Sequence, residues 1–327
     1  MELNYKEVFS FENLYNSYKK CCKGVNWKTS TKNFKFRAIQ NITKLQKELY
    51  NKTYKSKGFT CFTIRERGKL RDIKSVNISE RVVQRCLCDY WLVPLLSKSL
   101  IYDSGATIKG KGLNFTYRRL KCHLQKFGRK NKSGYILIFD YSKYFESINH
   151  ELLLEKVNKV TQNKELFELY KYFVNNFGNK GLGLGSQISQ ISALFYLSEI
   201  DHKIKEELKC KFYGRYMDDG YIIANNINFL KWCRLKIIQY SETQKLNLSL
   251  RKTRIEKLTH FTFLKKHWKL KNTLYVVIKP LHTNIKRLRR KIKIITQKNK
   301  ETLKQFLQSI KGYFKIFSNR RLMEYVL

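Results

Sequence analysis

Two hydrophobic periods alternate along this chain. Helical spacing puts Phe11, Leu14, Tyr15 and Tyr18 on one face and, after a polar link at 24–31, resumes with Phe36, Ile39, Ile42, Leu45 and Leu49. Residues 10–55 are therefore expected to form two helices with these stripes in a core. From Phe59 to Val76 the period shortens to that of strands, interrupted by the turn signal Arg67-Gly68. Ser79 then reads as the cap of a helix that continues through Leu87, Trp91 and Leu95. The unbroken apolar run from Tyr135 to Phe139 predicts a strand buried on both faces, and a helical pattern starts near Asn149. A glycine-rich stretch, 178–185, precedes one long helix predicted over 187–208, with Ile188, Ile191, Phe195 and Ile200 as its apolar stripe. The segment from Tyr213 to Ile223 reads as a hairpin, with Gly220 as a permissive turn residue. Near the end, a helix from Asn284 sets Arg287, Arg290 and Lys291 against Ile285, Leu288, Ile292 and Ile295. The mixture predicts an α+β protein.

Charge narrows the class. The formal net charge is +42, which predicts a polyanionic partner because neutralised phosphates release counterions. The distribution is uneven: from Asn13 to Arg65 Glu48 is the sole acid, from Lys257 to Lys300 there is none, and twelve of the 25 acids lie between Asp140 and Asp219. Two basic arms flanking an acidic centre suit a nucleic-acid channel around a metal site. The eight cysteines lack CxxC spacing, so reduced thiols in a cytoplasmic protein are expected. No apolar run reaches membrane-span length, and the first residues lack a signal-peptide core.

The candidate chemistry lies in three carboxylates. Asp218 and Asp219 are adjacent within the predicted hairpin, with no Lys or Arg inside two residues, and Asp140 ends the predicted buried strand. Holding such repelling groups together makes sense around divalent cations, and a strand end plus a hairpin turn can supply the ligands of a two-metal phosphoryl-transfer centre.

These residues carry a family resemblance. Tyr216-Met217-Asp218-Asp219 resembles the YxDD box of reverse transcriptases, and Phe139-Asp140 through Phe145 resembles the first catalytic motif of their palm, at a similar spacing. The run Leu184-Gly185-Ser186-Gln187-Ile188-Ser189-Gln190 departs from the Gln-Gly and Ser-Pro of most such enzymes and is similar to the motif of diversity-generating retroelement reverse transcriptases. Residues 10–55 resemble the N-terminal extension of bacterial non-long-terminal-repeat enzymes. The loop from Tyr102 to Gly112 resembles a template-contacting segment. The run from Leu246 to Thr253 resembles the motif whose lysine approaches the leaving pyrophosphate, and Phe261 to Lys266 resembles the primer grip, with Lys265 where relatives often have glycine.

The resemblance implies a right-hand polymerase with a helical extension (1–55), fingers (56–134), a palm with an antiparallel sheet (135–279) and a helical thumb (280–327). It implies Asp140, Asp218 and Asp219 as ligands of two Mg²⁺ ions, with Mn²⁺ as a substitute, and Lys252 as general acid or charge stabiliser. Lys69, Arg71, Phe145, Leu184, Gly185 and Gln187 would meet the incoming dNTP, Phe145 excluding a ribose 2′-hydroxyl and Leu184 implying low fidelity. Lys109, Lys111, Phe263, Leu264, Arg287 and Arg290 would contact template and primer. The implied partners are template RNA and RNA/DNA hybrid, with a small accessory protein or a non-coding RNA, in a bacterial or phage-encoded system with no membrane. With the thumb helix followed so soon by Leu327, no ribonuclease H domain is expected. Two alternatives stand beside diversity generation: a stand-alone enzyme of anti-phage defence, and a non-catalytic RNA-binding protein of the same fold.

Overall fold

In a computed structural model, which describes residues 3–66, 68–272, 274–297, 300–314 and 317, the chain forms two units that alternate along the sequence. One comprises Met1–Ile101, Ser142–His202 and Tyr240–Asn247; the other comprises Tyr102–Tyr141, Lys203–Gln239 and the described residues of Leu248–Leu327.

The second unit is organised around the apolar run. Strand β1 (Phe59–Glu66) and β2 (Lys69–Val76) belong to the first unit; β3 (Tyr135–Phe139) is the first strand of the second. It is joined by β4 (Tyr213–Tyr216), β5 (Asp219–Ala224) and β6 (Arg254–Lys257) in an antiparallel sheet of order β4-β5-β3-β6. Partners on both sides and faces covered above and below explain the continuous hydrophobicity of β3. Ile136 and Ile138 face a core shared with Tyr221, Ile223, Leu120 and Leu124. The core continues into a three-stranded sheet of β7 (Phe261–Phe263), β8 (Lys266–Lys271) and β9 (Tyr275–Pro280). The helix His282–Thr296 covers it with Ile285, Leu288 and Ile292, while Arg287 and Arg290 point to solvent, as the sequence pattern predicts.

Gly220 corrects one expectation. It lies inside β5 opposite Phe139, and a Cβ there would come within 2.3 Å of the Phe139 ring. Its missing side chain makes room for that ring, and turn flexibility is not its role. Gly220→Ala should therefore push Phe139 off its place and lower stability by about 1–3 kcal/mol, read as a lower urea midpoint. An unchanged midpoint would contradict this packing.

Lys266 makes a second prediction. It is 3% exposed on β8, with its ammonium over the rings of Tyr117 and Phe317, and burial lowers its pKa to about 8. The unfolded chain then binds more protons between pH 8 and the ordinary 10.5. Stability supplied by the neutral amine therefore grows as pH rises through that window. Thermal unfolding from pH 7 to 10 should show a rise in wild type that Lys266→Met flattens, with the variant the more stable at pH 7.

In the first unit β1 and β2 form the expected hairpin; Arg67 lies outside the described residues. Helices Phe11–Cys22, Thr29–Phe36 and Ala38–Tyr50 make up the N-terminal region. Leu14, Tyr18, Ile42, Leu45 and Leu49 are buried, but Phe36 is 85% and Ile39 67% exposed. The backbone breaks helical geometry at Arg37, so these two do not continue the buried stripe. Asn77, not Ser79, caps the helix Ile78–Leu87, its side chain accepting from the Ser79 amide. The long helix predicted over 187–208 is two helices, Gln187–Tyr196 and Ser198–Glu206, separated at Leu197. Among the described residues the eight cysteines are free and no helix is long and apolar enough to cross a membrane.

Candidate active site

The three carboxylates converge within the second unit. Asp140 follows the last residue of β3, and β5, its neighbour in the sheet, begins with Asp219. Tyr216 and Asp219 pair, leaving Met217 and Asp218 as a two-residue turn, so Asp218 sits at the tip. Met217 takes a left-handed φ of +55°, a conformation that costs a side-chain-bearing residue about 1–2 kcal/mol. The buried Arg215 holds the turn there, donating from Nη1 to the Met217 carbonyl at 2.7 Å.

The electrostatics are those of concentrated, poorly solvated negative charge. Burial, then Asp219 and Asp140, push Asp218 up to about 7; burial and Asp140 push Asp219 up to about 6, against the pull of Lys252, Lys265 and Arg254. Asp140 is 5% exposed, and its Oδ1 is buried with no hydrogen-bond donor among the described residues. Its Oδ2 accepts from the Lys252 ammonium, and this bond raises the pKa of Lys252. The Ser249 amide donates to the Asp140 carbonyl at 2.7 Å, fixing the loop that carries Lys252.

Among the described residues no three His, Cys, Asp or Glu side chains are arranged as a finished cation cage. The donor chemistry nevertheless fits a hard divalent ion, because an orphaned carboxylate oxygen and two carboxyls pushed up by their neighbours lack the positive charge such an ion brings.

Behind the hairpin lies a network that sequence reading missed. Asp103, 7% exposed, accepts from Arg119 Nε at 2.6 Å and Lys205 Nζ at 3.3 Å. Burial alone would raise its pKa, but the Arg119 hydrogen bond and the charges of Lys205 and Arg119, joined by His123 only when acid protonates it, hold it below the carboxylate norm. Arg119 Nη2 also meets His123 Nε2 at 3.2 Å, and His123 Nδ1 meets the Tyr221 hydroxyl at 3.0 Å. Burial lowers His123 to about 4, so the ring is neutral. Arginine can only donate, so Nε2 accepts and Nδ1 carries the proton toward Tyr221, a residue of β5 two positions from Asp219. The backbone of Asp103 to Gly105 also bonds Arg215 of β4: the Arg215 amide donates to Asp103 O and the Gly105 amide to Arg215 O.

The remaining expected contacts in this unit are distributed. Lys111 donates to the carbonyls of Tyr102 and Ser104 at 2.7 and 3.1 Å, bracing its own loop, whereas Lys109 is exposed. Phe263 is 2% exposed and packs on Tyr221 with ring centroids 5.2 Å apart. Leu264 and Lys265 form the next turn at φ +45° and +61°, the left-handed region that explains why glycine suits this place.

The first unit gathers most of the expected nucleotide contacts. Leu184 bridges Ile73 of β2, and Gly185, at φ +101°, and Gln187 line a cavity of about 260 Å³ together with Arg81, Gln84 and Arg85. The last three were not anticipated; their side chains fall on one wall because they recur at helical spacing. Gln187 donates to Asp89, whose carboxylate also accepts from Lys20 and Arg85. Phe145 is half-buried beside Tyr144, with its carbonyl accepting from the Leu182 amide at 2.8 Å. Arg71 is exposed on β2; the side chain of Lys69 lies outside the described residues.

Comparison with known proteins agrees with this architecture. The family model for reverse transcriptase (RNA-dependent DNA polymerase) matches residues 23–267. No curated protein sequence matches the chain. Among solved structures, apo telomerase from Candida tropicalis lacking its C-terminal domain aligns at TM-score 0.51 and 16% identity, over 67% of this chain and 54% of that one. Telomerase from Candida albicans in complex with a fragment of telomeric RNA aligns at 0.53 and 12% identity, over 79% and 54%. The chain thus spans about half the length of these structures, whose likeness establishes the fold as that of a right-hand polymerase. With the family model covering most of its length, the chain belongs to the reverse transcriptase (RNA-dependent DNA polymerase) family, a class of nucleotidyltransferases.

Proposed function

We propose that this chain copies an RNA template into DNA, adding deoxynucleotides to a primer 3′-hydroxyl, and that it does so with low fidelity in a diversity-generating retroelement. The observation that carries the catalytic part is the convergence of Asp140, Asp218 and Asp219 at one end of the central strands β3 and β5, with an orphaned oxygen on Asp140 and the two hairpin acids pushed up in pKa. Asp140 and Asp218, assisted by Asp219, would hold two divalent cations, Mg²⁺ or Mn²⁺, which when bound neutralise charge on the attacking and leaving oxygens. Lys252, held against Asp140, would carry positive charge or a proton toward the departing pyrophosphate. Phe145 would exclude a ribose hydroxyl. Lys69, Arg71 and the Leu184-Gly185-Gln187 segment would position the dNTP. Lys109, Lys111, Phe263, Leu264, Arg287 and Arg290 would shape the template-primer path. An RNA partner is supported by the +42 charge and by the telomeric RNA in the Candida albicans complex.

The diversity-generating reading rests on Leu184 and the Ser189-Gln190 pair that ends its motif. It is tested by sequencing DNA made on a defined RNA. Errors concentrated opposite template adenines support it, and accurate copying at adenines contradicts it, leaving the stand-alone defence enzyme as the better reading. A purely RNA-binding role has against it the three mutually repelling carboxylates, which binding alone does not require.

A further inference from the structure

We propose that the N-terminal region carries its own docking surface for single-stranded nucleic acid, built on Trp27 and Phe36. This goes beyond the polymerase reading and needs none of its catalytic residues. Helical periodicity calls for Phe36 and Ile39 in a core, yet they are 85% and 67% exposed, and Trp27 is 72% exposed in the turn before helix Thr29–Phe36. That helix is anchored by Thr31 and Phe34, its buried residues. Single exposed apolar residues are ordinary, but three large ones within thirteen residues are not.

What surrounds them identifies the ligand. No Asp or Glu occurs from Asn13 to Lys47, and Lys28, Lys32, Lys35 and Arg37 are all exposed among the apolar groups. The Lys28 ammonium lies over the Trp27 ring at 5.4 Å. Exposed aromatics interleaved with cations suit a strand that offers base faces for stacking and phosphates for pairing. Helix Thr29–Phe36, which carries Phe36 at its end and follows Trp27, is roughly 11 Å long, about the span of three stacked nucleotides. An anionic lipid surface would want a continuous apolar face, which Lys32, Asn33 and Lys35 interrupt.

The test measures anisotropy of a labelled, unstructured 20-nucleotide RNA and of the equivalent DNA on the full chain, with saturating unlabelled RNA/DNA hybrid present to occupy any primer-template path. Wild type should retain single-strand binding in the presence of hybrid. Trp27→Ala/Phe36→Ala should weaken that binding by about 10- to 100-fold, and Trp27→Phe/Phe36→Tyr should restore most of it. Asp218→Asn should bind as wild type does, which separates this surface from catalysis. The double alanine variant should extend a pre-annealed primer within about twofold of wild type. Displacement of the labelled strand by hybrid, equal affinity of the double alanine variant, or loss of anionic-vesicle binding in that variant without loss of RNA binding would each overturn the proposal.

Discussion

Asp218→Asn should abolish primer extension, lowering kcat by at least about 10³-fold, on the order of 4 kcal/mol of transition-state stabilisation, while leaving the fold intact. The substitution is nearly isosteric and removes one of the two hairpin carboxyls, Asp218 and Asp219, that burial and neighbouring negative charge already disfavour in the folded state. The folded-state pKa of Asp218, near 7, is above its unfolded value, so this group destabilises the fold increasingly as pH rises between the two. In metal-free buffer at pH 7.5 the variant should accordingly melt no lower than wild type, and the stabilising effect should shrink below pH 4. Loss of activity together with equal or greater stability is the pattern of groups kept for chemistry. Parallel loss of both would mean that Asp218 holds the hairpin together.

The largest expected effect on stability belongs to Asp103. Alanine there leaves the Arg119 and Lys205 cations facing each other without their shared carboxylate, in a place where Asp103 itself is 7% exposed. Removing one partner of a buried ion pair costs about 3–5 kcal/mol; the 24% and 23% exposure of the two cations lets water reach them and puts the expected loss near the lower end, about 3 kcal/mol. Against a typical total of 5–15 kcal/mol this is a large fraction. Asp103→Asn keeps an acceptor for Arg119 and should lose less. Because the network reaches β5 through His123 and Tyr221, primer extension by folded Asp103→Asn should fall in kcat more than it rises in dNTP KM. An unfolding free energy for Asp103→Ala, from urea titration, within about 1 kcal/mol of wild type would refute this account of the network.

How much of this was legible in the sequence depended on locality. The β3 run, the β1–β2 hairpin and the hairpin bearing Asp218 each announce themselves within a single short stretch of chain, because period and turn chemistry are local properties. Asp140 could be assigned to the site only through its neighbour, a strand too apolar to end in a carboxylate without a reason. Asp103, Arg119, His123, Lys205 and Tyr221 come from a loop, two helices and a strand, and no spacing rule links them. The same holds for Arg81 and Arg85, which became visible only when β2 and the Gly185 segment closed a cavity around them. Phe36 and Ile39 were misassigned for a different reason: their spacing is helical, but a break at Arg37 means that the spacing does not run through one helix. Gly220 was read for flexibility when the fold uses its lack of a Cβ.

The most direct test of the central claim is extension of a DNA primer annealed to a defined RNA, with Mg²⁺ and four dNTPs, repeated with each dNTP omitted in turn. The account predicts product from wild type and none from Asp218→Asn, with each omission stopping synthesis at, or forcing misincorporation opposite, the complementary template base. Nucleotide addition that ignores the template, or equal product from Asp218→Asn, would contradict it.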